Sequence, residues 1–175
     1  MIELFEFSSR GLDGDLSSRI HELLSNTWPE DAPNEGDYYR THGAPTAVVI
    51  LRKAADVLAH LAVYQHEVCI GSETLEIGML GGIVVAPQHR RQGHARGLVR
   101  HAHEWLRGHR IPFSILFTDE PRLYTSSGYE LMQNATRFID TDGRRKTLVN
   151  IGGMYAELSQ SRWPDQLLDL RGRVV

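Results

Sequence analysis

The sequence has one cysteine, Cys69, in 175 residues. A single thiol excludes an internal disulfide framework and any zinc site built on several cysteines. A basic excess is missing too: 19 Lys and Arg stand against 22 Asp and Glu, a net charge of −3. Dedicated nucleic-acid binders show the opposite balance, so no nucleic-acid partner is expected. No stretch approaches the ~18 uninterrupted apolar residues of a membrane span, and no membrane partner is expected. The opening residues, Met1-Ile2-Glu3-Leu4-Phe5-Glu6-Phe7, carry acids where a secretory leader carries Lys or Arg. The resulting expectation is a soluble, cytoplasmic protein. Repeats and low-complexity tracts are also absent. What remains is ordinary globular composition, 41% hydrophobic and 23% charged. With no boundary visible, residues 1–175 read as one domain.

Residues 2–7 alternate loosely and read as a strand. Asp15 is placed to cap a helix with Leu16, Ile20, Leu23 and Leu24 on one face, ended by Pro29. Residues 30–45 are rich in Asp, Gly, Pro, Asn and Tyr and read as a loop long enough to be functional. The stretches 47–51, 57–70 and 75–85 read as strands, the last two forming a hairpin. Gly81-Gly82 interrupts the third. Residues 94–107 give the clearest helix, with Ala95, Leu98, Val99, Ala102, Trp105 and Leu106 at helical spacing. Arg96, Arg100, His103 and Arg107 form its basic face, and Gly108 ends it. A strand at 112–117 follows, and this strand–helix–strand order predicts a parallel pair through a right-handed crossover. Beyond it lie a short helix or turn at 121–127, strands near 135–139 and 147–155 with a turn at 141–143, and a tail from 159 that holds Trp163-Pro164 and ends irregularly.

The informative stretch is Ile83-Val84-Val85-Ala86-Pro87-Gln88-His89-Arg90-Arg91-Gln92-Gly93-His94-Ala95. An apolar strand runs into a loop with two arginines and a glycine, then into a helix. The first helical turn presents unpaired N–H groups and the positive end of the dipole. Loop and helix start therefore make a phosphate cradle. Gly93 lets backbone approach a ligand closely. Arg90 and Arg91 supply charge-assisted bonds.

This segment resembles the acyl-CoA-binding motif of the GNAT superfamily of N-acetyltransferases. That pattern is Arg or Gln, two residues, Gly, one residue, Gly or Ala. Here it reads Arg90-Arg91-Gln92-Gly93-His94-Ala95. A second match is Arg122-Leu123-Tyr124-Thr125-Ser126-Ser127-Gly128-Tyr129, a Leu-Tyr pair followed by Gly and an aromatic. More weakly, the chain is similar to aminoglycoside 2′-N-acetyltransferases and, in its tail, to nodulation N-acyltransferases. The resemblance implies a mixed α/β fold: a central, mostly antiparallel, splayed sheet with one parallel pair, flanked by helices. It implies acetyl transfer from acetyl-CoA to a primary amine of a small molecule by direct attack in a ternary complex. The pyrophosphate is expected on Arg90, Arg91, Gln92, Gly93, His94, Ala95 and Arg96, and the pantetheine arm on the edge of Ile83, Val84 and Val85. Tyr124 is expected to protonate the departing thiolate, since a phenol with pKa near ~10 keeps its proton at neutral pH. The family also carries the expectation of a homodimer.

One departure from the family stands out. Many members carry a Glu just before the splay, where this chain has Met79, Leu80, Gly81 and Gly82. Glu76, Tyr64, His66, Asp119 and Glu120 are weaker candidates for a base. A water relay or an acceptor that arrives neutral also serves. The aminoglycoside enzymes have a carboxylate where Gly81 stands, which weakens that substrate assignment. The acidic stretch 30–37 is able to attract a cationic amine. Two rival readings follow: a non-catalytic acyl-CoA-binding module, and a nucleotide-binding protein, which the lack of a Gly-rich loop ending in Lys-Ser or Lys-Thr disfavours. Nine histidines invite a metal. His101 and His103 do not share a helical face and no acid or cysteine completes a set, so no metal is expected. Both are read as solvated, with His103 and Arg107 in reach of the CoA 3′-phosphate. Cys69 reads as a small buried residue.

Overall fold

The computed structural model describes residues 1–6, 12–30, 39, 43–140, 142–149 and 152–174. Phe7, Gly11, residues 31–37 of the acidic loop and Thr141 lie outside the described residues. Two compact units divide the chain: Met1–Tyr64 with Leu80–Ala102, and Gln65–Met79 with His103–Val175.

The first unit holds β1 (Ile2–Glu6), α1 (Gly14–Thr27), β2 (Ala47–Lys53), the opening of β3 (Asp56–Ile70), the end of β4 (Glu73–Val85) and the opening turns of α2 (His94–Gly108). β1 lies antiparallel to β2 with Leu4 opposite Val49, and β2 antiparallel to β3 with Val49 opposite Leu61. Val48, Val49 and Ile50 are buried on both faces, which is why the run is continuously apolar. α1 packs Leu16, Ile20, Leu23 and Leu24 against Val48, Ile50, Ala62 and Val84. Each buried Leu or Ile stabilises by about 1.5–3 kcal/mol. The helix cap is Asp13, whose side chain accepts from the Asp15 amide at 2.9 Å, and not Asp15 as the sequence suggested. Asp15 sits in the first turn and pairs with Arg19 one turn on.

The second unit turns β3 into β4 at Gly71-Ser72 and adds the last turns of α2. It continues with β5 (Phe113–Phe117), two single 3-10 turns (Pro121–Leu123 and Thr125–Ser127), β6 (Glu130–Leu131), β7 (Thr136–Ile139), β8 (Arg145–Leu148), β9 (Gly153–Glu157) and β10 (Leu168–Asp169). Strand order is β6-β9-β5-β4-β3-β10-β7-β8. β9 is antiparallel to β5, β8 to β7, and β10 to β3, whereas β10 and β7 run parallel. The fold is thus mixed α/β.

One sequence expectation is corrected here and another extended. Residues 147–155 are not one strand: β8 pairs with β7 while β9 pairs with β5 and β6, so the chain changes neighbours between them. The tail, read from the sequence as ending irregularly, also contributes a two-residue strand, because Leu168 fits between Ile70 of β3 and Thr136 of β7. Trp163 anchors the approach to β10: it stacks on Tyr155 and its Nε1 donates to Asn134 Oδ1 at 2.7 Å. Among the described residues no helix is long and apolar enough to cross a membrane.

Candidate functional site

In the first unit, β4 leaves regular geometry at Gly82, where φ is +56°. The Gly82 carbonyl accepts from His60 Nδ1 at 2.7 Å. A carbonyl only accepts, so the proton belongs on Nδ1, and Nε2 is then the acceptor for the Tyr39 hydroxyl. His60 is fully buried, and burial pushes it down to about 4 from an ordinary 6.5 against the opposing pull of the Gly82 carbonyl. Beyond Gly82, Val84 is buried in the core while Ile83 and Val85 are half-buried. The Ala86 amide donates to Leu58 O at 2.8 Å and closes the pairing with β3.

A 3-10 turn at Pro87–His89 then leads into the loop. Arg91 and Gly93 both have left-handed backbone, φ +61° and +78°. Left-handed backbone at Arg91 and Gly93 brackets Gln92 immediately before the start of α2. A Cβ placed on Gly93 would meet nothing within 4 Å, so that side of the backbone is open. Arg90 bends back, its Nε donating to Val85 O at 3.0 Å, which ties the loop to the strand end. α2 begins at His94, with Gly97 N donating to Gly93 O at 3.0 Å. His94 Nε2 lies 3.3 Å from Gln92 Oε1, Ala95 is half-buried and Arg96 is exposed. A cleft of about 790 Å³ adjoins the loop, lined by Arg52, Lys53, Gln88, His89, Gln92 and His94 among others. Ile83, Val84, Val85 and residues 90–96 thus form one continuous strand–loop–helix feature.

Tyr124 belongs to the second unit. Arg122–Tyr129 folds into consecutive 3-10 turns that meet at Tyr124, closed by Gly128. Tyr124 is half-buried, and burial holds its phenol above the ordinary value of 10. Its ring meets Tyr129 edge-on at 6.2 Å. Tyr129 is 2% exposed and its hydroxyl lies 2.6 Å from Ser114 Oγ and 3.0 Å from His103 Nε2. Burial pushes the Tyr129 phenol upward, partly offset by Ser114.

His103 is therefore not on the basic face of α2. It is buried, and burial followed by the charge of Arg107 brings it down to about 4. A neutral side chain turned inward to Tyr129 is unavailable to a phosphate. Its spacing held the missed signal, since His103 is four residues after buried Val99 and three before buried Leu106. His60 was missed although Ala59, Leu61 and Ala62 around it are all buried. His101 is half-buried, with Nδ1 2.9 Å from Gly97 O. Of the weaker base candidates, His66 hydrogen-bonds Leu170 O through Nε2, Glu76 accepts from Gln65, and Asp119 and Glu120 are exposed. Among the described residues no group of three or more His, Cys, Asp or Glu is gathered as a metal needs.

A family model described as an acetyltransferase (GNAT) domain matches residues 10–132. Among solved structures, the chain is similar to the GNAT family N-acetyltransferase YhbS from Escherichia coli in complex with CoA. The TM-score is 0.68 and identity 18%, covering 97% of this chain and 88% of that one. A GNAT family acetyltransferase from Brucella melitensis in complex with acetyl-CoA gives a TM-score of 0.59 at 16% identity, covering 96% and 94%. An aminoglycoside 6′-N-acetyltransferase complexed with coenzyme A gives 0.63 at 12%, covering 92% and 99%. At these identities the likeness is one of fold. Among curated proteins, no sequence is a significant match.

Proposed function

We propose, for a chain that belongs to the GNAT acetyltransferase family and is an acetyl-CoA-dependent acyltransferase, that it acetylates a primary amine of a small molecule. The amine attacks directly within a ternary complex, and residues 1–175 act as one catalytic domain that pairs as a homodimer. The observation that carries the reading is the backbone of the 90–96 loop, with Arg91 at φ +61° and Gly93 at +78° immediately before α2.

Backbone N–H groups from Arg91 to Ala95 would hold the pyrophosphate, aided by the helix dipole and by the arginines at 90, 91 and 96. Gln92 and His94 brace each other beside that cradle. Backbone groups of Ile83, Val84 and Val85 would pair with the amides of the pantetheine arm. When bound, acetyl-CoA supplies a thioester carbonyl activated toward an amine. Tyr124 keeps a proton on Oη at neutral pH because burial disfavours its anion, and that proton is the one the departing sulfur takes. A half-buried, protonated phenol at this position argues against a module that only binds acyl-CoA.

No carboxylate stands at 79–82 of β4. The acceptor is then expected to enter as the neutral amine or to lose its proton through water. The test is thiol release from acetyl-CoA against a panel of small amines across pH. Thiol release should require an amine, and kcat/KM should climb tenfold per pH unit below the pKa of that amine. CoA binding with no amine-dependent release from any member of the panel would shift the assignment to a non-catalytic acyl-CoA-binding protein.

A further inference from the structure

The left-handed backbone of β4 at Gly82 is bonded by a side chain from β3. The Gly82 carbonyl takes the imidazole Nδ1–H of His60. The ring lies close enough that a Cβ on Gly82 would sit 3.2 Å from His60 Cε1. On its far side, Nε2 takes the hydroxyl of Tyr39, which is 3% exposed and lies in the segment between α1 and β2. Each member of this relay has one satisfactory role. The carbonyl only accepts, the neutral imidazole donates at one nitrogen and accepts at the other, and the phenol donates.

We propose that His60 is a positioning residue: the relay Tyr39 Oη–H to His60 Nε2, and His60 Nδ1–H to Gly82 O, fixes where β4 bulges and so sets the Ile83–Val85 edge for the pantetheine arm. This rests on the reading of that edge given under Proposed function. Side chains and backbone groups of a strand alternate with period two, so a bulge displaced by one residue would reverse which groups at 83–85 face outward. Gly81 and Gly82 alone permit either placement. His60 selects one, because only the Gly82 carbonyl meets Nδ1. Tyr39 selects the ring's tautomer. Among the described residues the ionisable group facing the buried ring is Tyr39, and Leu24 of α1 lies near Gly82.

The test compares wild type with Tyr39→Phe, His60→Leu and His60→Asn. Asn keeps an N–H donor near the place of Nδ1. Calorimetry gives CoA affinity, steady-state kinetics separate the KM for acetyl-CoA from that for the amine, and amide hydrogen exchange reports residues 83–85. Tyr39→Phe and His60→Leu should weaken CoA binding by about tenfold or more and speed exchange at 83–85, as loss of a buried hydrogen bond implies. The amine KM should stay put, and His60→Asn should recover most of the CoA affinity. Should His60→Leu fail to fold, Tyr39→Phe decides, since it keeps the ring and its packing. Unchanged CoA affinity and unchanged exchange at 83–85 in Tyr39→Phe would overturn the relay. Failure of wild type to bind CoA would instead remove the reading of the edge, while exchange at 83–85 would still judge the relay itself.

Discussion

Two buried histidines solve the same electrostatic problem and do different work with the solution. His60, in the first unit, and His103, in the second, are both neutral, both brought down to about 4 chiefly by burial, and both bonded to a tyrosine hydroxyl. His60 spends its other nitrogen on a backbone carbonyl at a strand bulge. His103 instead joins a side-chain cluster with Tyr129 and Ser114, and Tyr129 presents its ring to Tyr124. One network fixes a main-chain shape and the other seats a side chain. The lesson is that a buried imidazole takes its function from what its second partner is free to move.

Acidification is the strongest way to strike both networks at once. Each folded-state pKa lies below the ordinary 6.5, so the unfolded chain binds more protons between pH 6.5 and about 4. Stability from these groups is complete above pH 6.5 and is lost as pH falls toward 4. At pH 5 the loss should be roughly 2 kcal/mol for each histidine. Urea unfolding at pH 7.5 and pH 5 measures the sum, and replacing His103 with Gln should remove about half of the pH dependence.

Tyr124→Phe separates the two networks by activity. It should lower kcat by about a hundredfold, the usual range for a lost general acid. The KM for acetyl-CoA should change little, because the phosphate cradle and the β4 edge are untouched. A kcat close to wild type would return Tyr124 to a packing role. Tyr129→Phe should act more gently on turnover and more on folding. It keeps the ring against Tyr124 but strips the hydroxyl from His103 and Ser114, at a cost of about 1–3 kcal/mol. Thermal unfolding and kcat for the same variant make the distinction.

The strand–loop–helix at 83–96 was legible because it is local. Arg90 to Ala95 are consecutive, and strand, loop and helix each announce themselves within a few residues. α2 was legible for the same reason, its stripe of Leu98, Val99, Ala102 and Leu106 being buried as the spacing predicts. What escaped depends on distant partners. β10 is two residues long and exists because Ile70 and Thr136 flank it. β8 and β9 look like one β-prone stretch until their different neighbours are known. His103 sat on the buried stripe all along, but its residue type spoke for solvent until Tyr129 and Ser114 were placed beside it. His60 is the extreme case, since its partners lie 21 and 22 residues away on either side.

The smallest effects test whether the bulge and the cradle use glycine for different reasons. Gly82 and Gly93 both adopt positive φ, +56° and +78°. Alanine at either should cost about 1 kcal/mol for the left-handed backbone alone. At Gly93 nothing lies within 4 Å of the added Cβ, so that cost should be nearly the whole stability effect. At Gly82 the Cβ would press on His60 Cε1 at 3.2 Å, and a ring held at both nitrogens yields poorly. Gly82→Ala should therefore unfold at lower urea than Gly93→Ala, by an increment that shrinks when His60 is replaced by Asn. Gly93→Ala should show the opposite bias, nearly normal stability with weakened CoA binding, since its Cβ enters the open side of the cradle. If the two alanine variants lost stability equally and CoA affinity equally, the bulge and the cradle would not be the separate devices their geometry describes.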